Sequence, residues 1–176
     1  NYNGAYSLTE ELIKAGHEKI GIINGLMSVS TAKERYRGFY EACNDYGIKI
    51  NEGYILNGDY GRSKSYKVTM DMFKKYKKLP SAMFSANNYM TEGFMIACKE
   101  FGLSIPDDIS LVSFGEISVP ELTEPRLTII NQDSEYMGQR VGEVIVKRLD
   151  NSQPNAYREH VIKNQIKYGK SIKVIK

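Results

Sequence analysis

Short apolar runs along this chain alternate with stretches in which apolar residues recur every three or four positions. The first pattern predicts buried strands and the second amphipathic helices. The runs are KIGIIN at 19–24, GYILN at 53–57, SAMFSA at 81–86 and ISLVSF at 109–114. They are apolar on both faces, as parallel strands covered by helices on each side must be. Helical spacing occupies 7–15, 32–46, 62–77 and 89–101. Ser7 and Glu10 read as a cap for the first helix and Thr31 and Glu34 as a capping box for the second. Gly16, Gly47 and Gly102 supply stops, and Pro80 ends the third helix. Helices and strands alternating through short connections predict an α/β fold, a doubly wound parallel sheet in three α/β/α layers. After residue 115 the rhythm changes. A loop with Pro120 and Pro125 leads to extended LTIINQD at 127–133, a helix at 134–149, and two strands around 159–164 and 166–174.

One residue breaks the helical pattern. In the second helix Ala32, Tyr36, Phe39, Cys43 and Tyr46 form the core-facing stripe, while Lys33, Arg37, Glu41 and Asn44 face water. Arg35 falls within the apolar stripe, roughly 40° from Phe39. It also lies near the helix N-terminus, where the macrodipole disfavours a cation. Ligands of doubly wound sheets bind at the carboxyl ends of the strands. Asn24, Tyr60 and Asn87 follow strands, so they gather with Arg35 on one rim. No strand end carries a GxGxxG or GxxxxGK[ST] loop, which argues against nucleotides.

Composition alters this picture little. Apolar residues at 41% and charged residues at 26% are ordinary for a soluble globular domain. A net charge of +3 is too small to indicate nucleic acid. The densest basic cluster, KKYKK at 74–78, closes a helix, where cations are favoured by the dipole. Cys43 and Cys98 lie inside amphipathic helices, which points to buried free thiols and a reducing, cytoplasmic compartment. No apolar run approaches the roughly 20 residues needed to span a bilayer, so no membrane association is expected. His17 and His160 lack paired carboxylates or cysteines at ligand spacing, and no GxSxG motif exists. No enzymatic activity, metal or cofactor is expected. The chain opens at Asn1 without a methionine and reads as part of a longer protein.

Several linked motifs carry a resemblance. AGHEKIGIINGLMSVSTAKERYRGFYEACNDYGI contains G-H-x-x-I, a strand, a polar loop and R-x-x-G-F. FSANNYMTEGFMIACKEFGLSIPDDISLVSF, PRLTIINQDSEYMGQ and NYNGAYSLTEELI follow in matching order and spacing. Together they resemble the LacI/GalR family of bacterial transcription regulators across essentially the whole chain. The resemblance implies a type I periplasmic-binding-protein-like lobe. On this reading residues 1–17 contribute a helix to the first lobe and 18–130 form the second lobe. Residues 131–158 return to the first lobe, and 159–176 supply the final strands of the second. The DNA-binding headpiece is absent, so operator DNA would be contacted only through it.

The same resemblance implies an effector, a sugar, bound between the lobes, and a homodimer. Arg35 takes the place of the arginine that grips effector hydroxyls, and its fork of donors suits two adjacent hydroxyls. Tyr60 matches an aromatic position against the effector, and Asn87 a hydroxyl-binding asparagine. Asn88 is better suited to capping the helix that follows. Gln132 and Asn3 fall at further effector contacts, and Met90, Phe94 and Thr123 at the dimer interface. One departure stands out: Gly115 occupies the place of a ligand carboxylate, leaving Glu116 as a possible substitute. A periplasmic sugar-binding protein is the alternative, and the R-x-x-G-F and P-x-L-T-x-I-x-Q-D stretches favour the regulator. The helices at 7–15 and 134–149, separated from a first-lobe sheet, are expected to pack on each other or on another copy of the chain.

Overall fold

The computed structural model describes residues 1–150 and 161–175. Among the described residues five α-helices and six strands run in the order α1 (Tyr2–Lys14), β1 (Ile20–Asn24), α2 (Ser30–Asp45), β2 (Ile55–Asn57), α3 (Arg62–Lys75), β3 (Ala82–Ser85), α4 (Asn88–Phe101), β4 (Ser110–Phe114), β5 (Thr128–Asn131), α5 (Ser134–Leu149) and β6 (Gln165–Lys167). The sheet order is β2-β1-β3-β4-β5-β6. Every pairing is parallel except β5 with β6. The predicted doubly wound sheet is therefore present, with one antiparallel strand at its edge.

Strand alternation divides the core in two. Ile20, Ile22, Phe84 and Phe114 meet Leu8, Leu12 and Phe39 on one face. Ile23, Met83 and Leu111 meet Phe73, Met90 and Phe94 on the other. Phe39 stacks on Phe84 with centroids 6.3 Å apart. The α1–α2 contact is close: a Cβ on Gly38 would stand 2.4 Å from the Tyr2 carbonyl oxygen. All three glycine stops hold. At Gly47, φ is 68° and the Ile48 amide closes the helix on the Cys43 carbonyl at 2.8 Å. Cys43 and Cys98 are buried free thiols, and burial pushes both up to about 12.

Several local expectations are corrected. α1 begins at Tyr2, so Ser7 lies inside it and caps nothing. α2 starts after Val29 without a side-chain cap, and the Thr31 hydroxyl bonds Tyr60 instead. Its buried face is Ala32, Arg35, Gly38, Phe39, Ala42 and Cys43, whereas Tyr46 is exposed. Residues Glu52–Tyr54 form a 3-10 turn ahead of the short β2. Of the two final strands, the described residues form one at Gln165–Lys167, and beyond it the Ser171 carbonyl accepts from the Leu111 amide at 2.9 Å; residues 159–160, with His160, lie outside the described residues.

The helix given to the first lobe also moves. Ala5, Leu8 and Leu12 of α1 are fully buried on this lobe's own sheet, because α1 lies beside α2 over Val112, Phe114 and Ile130. It has no apolar face left for α5. α5 has no buried residue and exposes Val141, Ile145 and Leu149. Among the described residues, no helix is long and apolar enough to cross a membrane.

Candidate functional site

The carboxyl ends of β1, β3 and β4 gather the polar residues expected there. Arg35, 7% exposed, reaches from α2 to the end of β3, where its Nη1 donates to the Ala86 carbonyl at 2.6 Å. Its Nε donates to Oδ1 of Asn1 at 3.0 Å, and its guanidinium carbon lies 3.8 Å from the centroid of the Phe114 ring. Cation–π contact and two hydrogen bonds offset the desolvation of this charge. Burial lowers its pKa to about 10, a shift the Tyr60 hydroxyl opposes, so the guanidinium is still charged at neutral pH. Among the described residues Nη2 has no hydrogen-bond partner, which leaves its donors for a ligand.

Tyr60 stands beside this group on the turn after β2. Asp59 and Tyr60 both adopt positive φ, 51° and 62°. The Tyr60 ring lies directly over Gly25, where a Cβ would come within 2.2 Å of it. Its hydroxyl pairs with Thr31 Oγ1 at 2.9 Å, tying the turn to the first turn of α2. A half-buried aromatic surface is thereby fixed in orientation at the rim.

Asn87 also lies at the rim, but its Oδ1 caps α4 by accepting from the Met90 amide at 2.8 Å. The capping role expected of Asn88 thus belongs to Asn87, whose amide nitrogen alone stays available. Buried hydroxyls brace this end of the sheet. Thr91 donates to the Asn87 carbonyl at 2.8 Å and meets Ser113 at 2.8 Å, and Ser113 donates to the Gly115 carbonyl at 2.8 Å. Sequence reasoning missed these, although the serines that interrupt the apolar runs of β3 and β4, Ser85 and Ser113, were a visible signal.

Gly115 has a φ of 102°, so any side chain there is strained even though space is open. Glu116 pairs with Lys167 Nζ at 2.8 Å. Gln132 lies next to Gly115, its Oε1 3.9 Å from where a Cβ would be. Asn3 is exposed on α1, and among the described residues the Arg35 Nε hydrogen bond goes to Asn1, which the sequence did not single out. Met90 and Phe94 are fully buried in this chain's own core, which removes them as interface residues. The exposed face of α4 instead carries Tyr89 and Ile96. Thr123 closes the 3-10 turn at Pro120 by donating to its carbonyl at 2.8 Å.

Residues 9–172 match the family described as the periplasmic binding protein-like domain. The chain is also 35% identical over 150 residues to the HTH-type transcriptional repressor PurR of Pasteurella multocida (strain Pm70). The chain belongs to the periplasmic binding protein-like domain family. That PurR match covers 85% of this chain and 45% of the repressor, so this chain spans just under half the length of that curated relative. A sugar-binding LacI-family transcriptional regulator from Escherichia coli, solved with phosphate, superposes with a TM-score of 0.85 at 25% identity, covering 99% of this chain and 62% of that one. The lac repressor dimer bound to operator and the anti-inducer ONPF gives a TM-score of 0.85 at 25% identity, covering 98% and 58%. The PurR protein and the lac repressor matched here are transcriptional repressors.

Proposed function

We propose that this chain is the effector-sensing part of a LacI/GalR-type repressor, with its small-molecule effector seated on the rim formed by Arg35, Tyr60, Asn87 and Gln132. The observation that carries this reading is the Arg35 guanidinium, fixed by Ala86 and Phe114 with Nη2 left unpaired. A buried, pre-oriented cation with spare donors is costly to keep unless it meets an acceptor. The effector is a sugar, whose adjacent hydroxyls suit the guanidinium fork and whose C–H face suits the fixed Tyr60 ring. A second reading rests on Gly115 and on Glu116, whose carboxylate is held by Lys167. With no carboxylate offered there, a flat, acceptor-rich heterocycle stacked on Tyr60 satisfies the same donors.

In this reading α5 belongs to a companion lobe, and effector binding shifts the population between lobe arrangements that differ in affinity for it. Operator binding lies in a segment outside these 176 residues, the setting is cytoplasmic, and the protein is a homodimer. The second lobe's share of the dimer contact is Tyr89 and Ile96 on α4 together with the loop around Thr123. Arg62 of α3, whose guanidinium carbon lies 6.0 Å from the Tyr89 ring centroid, pairs with Glu92 of α4 and links the two helices.

Calorimetric titration of the protein against free sugars, phosphorylated sugars and flat nitrogen heterocycles tests the reading. One compound should bind saturably, and Arg35→Ala should weaken it by about 10- to 100-fold, the worth of hydrogen bonds to a charged group. Binding that survives Arg35→Ala unchanged would place the site elsewhere.

A further inference from the structure

A second site lies at the opposite end of the sheet. Lys19 at the start of β1, Lys49 in the turn leading to β2 and Lys78 beyond α3 surround a cavity of about 730 Å³. This is within the roughly 300–1,000 Å³ common to small-molecule sites. The effector rim is at the carboxyl ends of the strands, whereas this cavity opens at their amino ends. It is therefore independent of Arg35.

Its walls combine two kinds of chemistry. Three lysines and a single acidic residue, Glu52, are among the residues that line it. Among the described residues none of the three ammoniums has a hydrogen bond or ion pair of its own. Clustered like charges repel one another, and an anion that neutralises them relieves that repulsion. Between the lysines the floor is apolar, formed by Ile20, Ile50 and the rings of Tyr54 and Tyr76. The two rings meet edge to face at 5.8 Å and 80°. Tyr54 Oη donates to the Lys78 carbonyl at 2.8 Å, which fixes the backbone beneath that lysine. The Tyr76 hydroxyl lies over Gly53, where a Cβ would stand 2.3 Å from it, so the glycine lets the hydroxyl end of the ring approach the turn. Lys75 Nζ sits 5.2 Å from the Tyr76 centroid and adds a fourth cation beside the same ring.

We propose that this cavity binds a phosphomonoester carried on a flat, apolar body. Lysines are compact point charges that suit phosphate without demanding bidentate geometry. A phosphomonoester is close to a dianion at neutral pH, so it matches several ammoniums better than one carboxylate does. The phosphate alone fills only a small part of the space, and the half-buried Tyr76 and Ile50, backed by the buried Tyr54 and Ile20, present apolar surface that a flat apolar group contacts. The KKYKK run at the end of α3 thus supplies Tyr76 and Lys78 to a site as well as a charged helix end.

The test is an NMR titration of the protein with phenyl phosphate, glucose 6-phosphate and inorganic phosphate, following the amides of residues 51–54. Phenyl phosphate should bind saturably at low salt and roughly tenfold more tightly than inorganic phosphate, from burial of its ring. Simultaneous Lys19→Gln, Lys49→Gln and Lys78→Gln replacement should weaken it about tenfold or more, and added salt should weaken it too. These lysines are exposed, so the substitutions leave the core intact. Arg35→Ala should leave binding unchanged. No saturable shift with phenyl phosphate would overturn the proposal, as would affinity lost in Arg35→Ala and retained in the lysine variant. Glucose 6-phosphate or inorganic phosphate binding as tightly as phenyl phosphate would overturn the assignment of a flat apolar body.

Discussion

Helices α1 and α5 carry the same kind of pattern and meet opposite fates. Each is amphipathic, and each was assigned to the first lobe. In α1, Ala5, Leu8 and Leu12 are 0% exposed. In α5, Val141, Ile145 and Leu149 are 55%, 52% and 76% exposed. Periodicity reports that a helix face requires a partner; it does not report which sheet provides it. The local chain settles the matter for α1. Gly16 turns it straight into β1, and Gly38 lets α2 approach so closely that α1 is held over the sheet. α5 follows β5, one strand in from the β6 edge, and among the described residues it has no such neighbour.

The largest effect expected from this contrast is at Leu12. Leu12→Ala should cost about 2–5 kcal/mol, from lost apolar transfer plus the cavity left among Leu8, Phe39 and Ile22. Urea denaturation should show a lower midpoint at unchanged slope. A loss below about 1 kcal/mol would mean that α1 is loosely docked and that the contrast with α5 is false.

A smaller effect is expected at the end of α1, where His17 is buried and its Nδ1 lies 2.9 Å from Ser81 Oγ. Burial lowers its pKa below the ordinary 6.5, against a weaker opposite effect from the Lys173 backbone. The unfolded chain therefore takes up this proton at a higher pH than the folded one. The associated stability is fully present above pH 6.5 and is lost as pH falls from there through the folded pKa. His17→Gln should flatten this part of the profile, so the midpoint difference between pH 7.5 and pH 5 shrinks. An identical pH profile in the variant would show that the imidazole titrates as it does in the unfolded chain.

What was legible in the sequence follows the same logic. The strands were clear because residues such as Ile22, Ile23, Phe84 and Leu111 are apolar on both faces, and only a doubly covered sheet accommodates that. Arg35 stood out because a charge on an apolar stripe conflicts with its surroundings, and such conflicts mark sites. Hydrogen-bond partners were much harder to assign. The Thr31–Glu34 spacing obeys a local rule, but Thr31 bonds Tyr60, which is distant in sequence. Asn1 and Asn3 are alike in composition, and only the course of α1 brings Asn1 to Arg35. On α4, Met90, Phe94, Tyr89 and Ile96 are all apolar enough for either role. The position of the sheet makes the first pair core and leaves the second pair exposed.

The smallest effect is expected on α5, and it tests the contrast from the other side. Ile145→Ala removes apolar surface that already faces water, so the 176-residue chain should change by less than about 0.5 kcal/mol. Alanine's better helix propensity works slightly in favour of the variant. In a protein that includes the companion lobe proposed above, the same substitution should cost about 2–5 kcal/mol, because Ile145 would then be core. The pair of measurements separates two accounts of this helix. A large cost that appears only with the companion lobe assigns the α5 face to that lobe. A large cost in the 176-residue chain, growing with protein concentration, would mean that a second copy of the chain covers the face instead, because stability then depends on association.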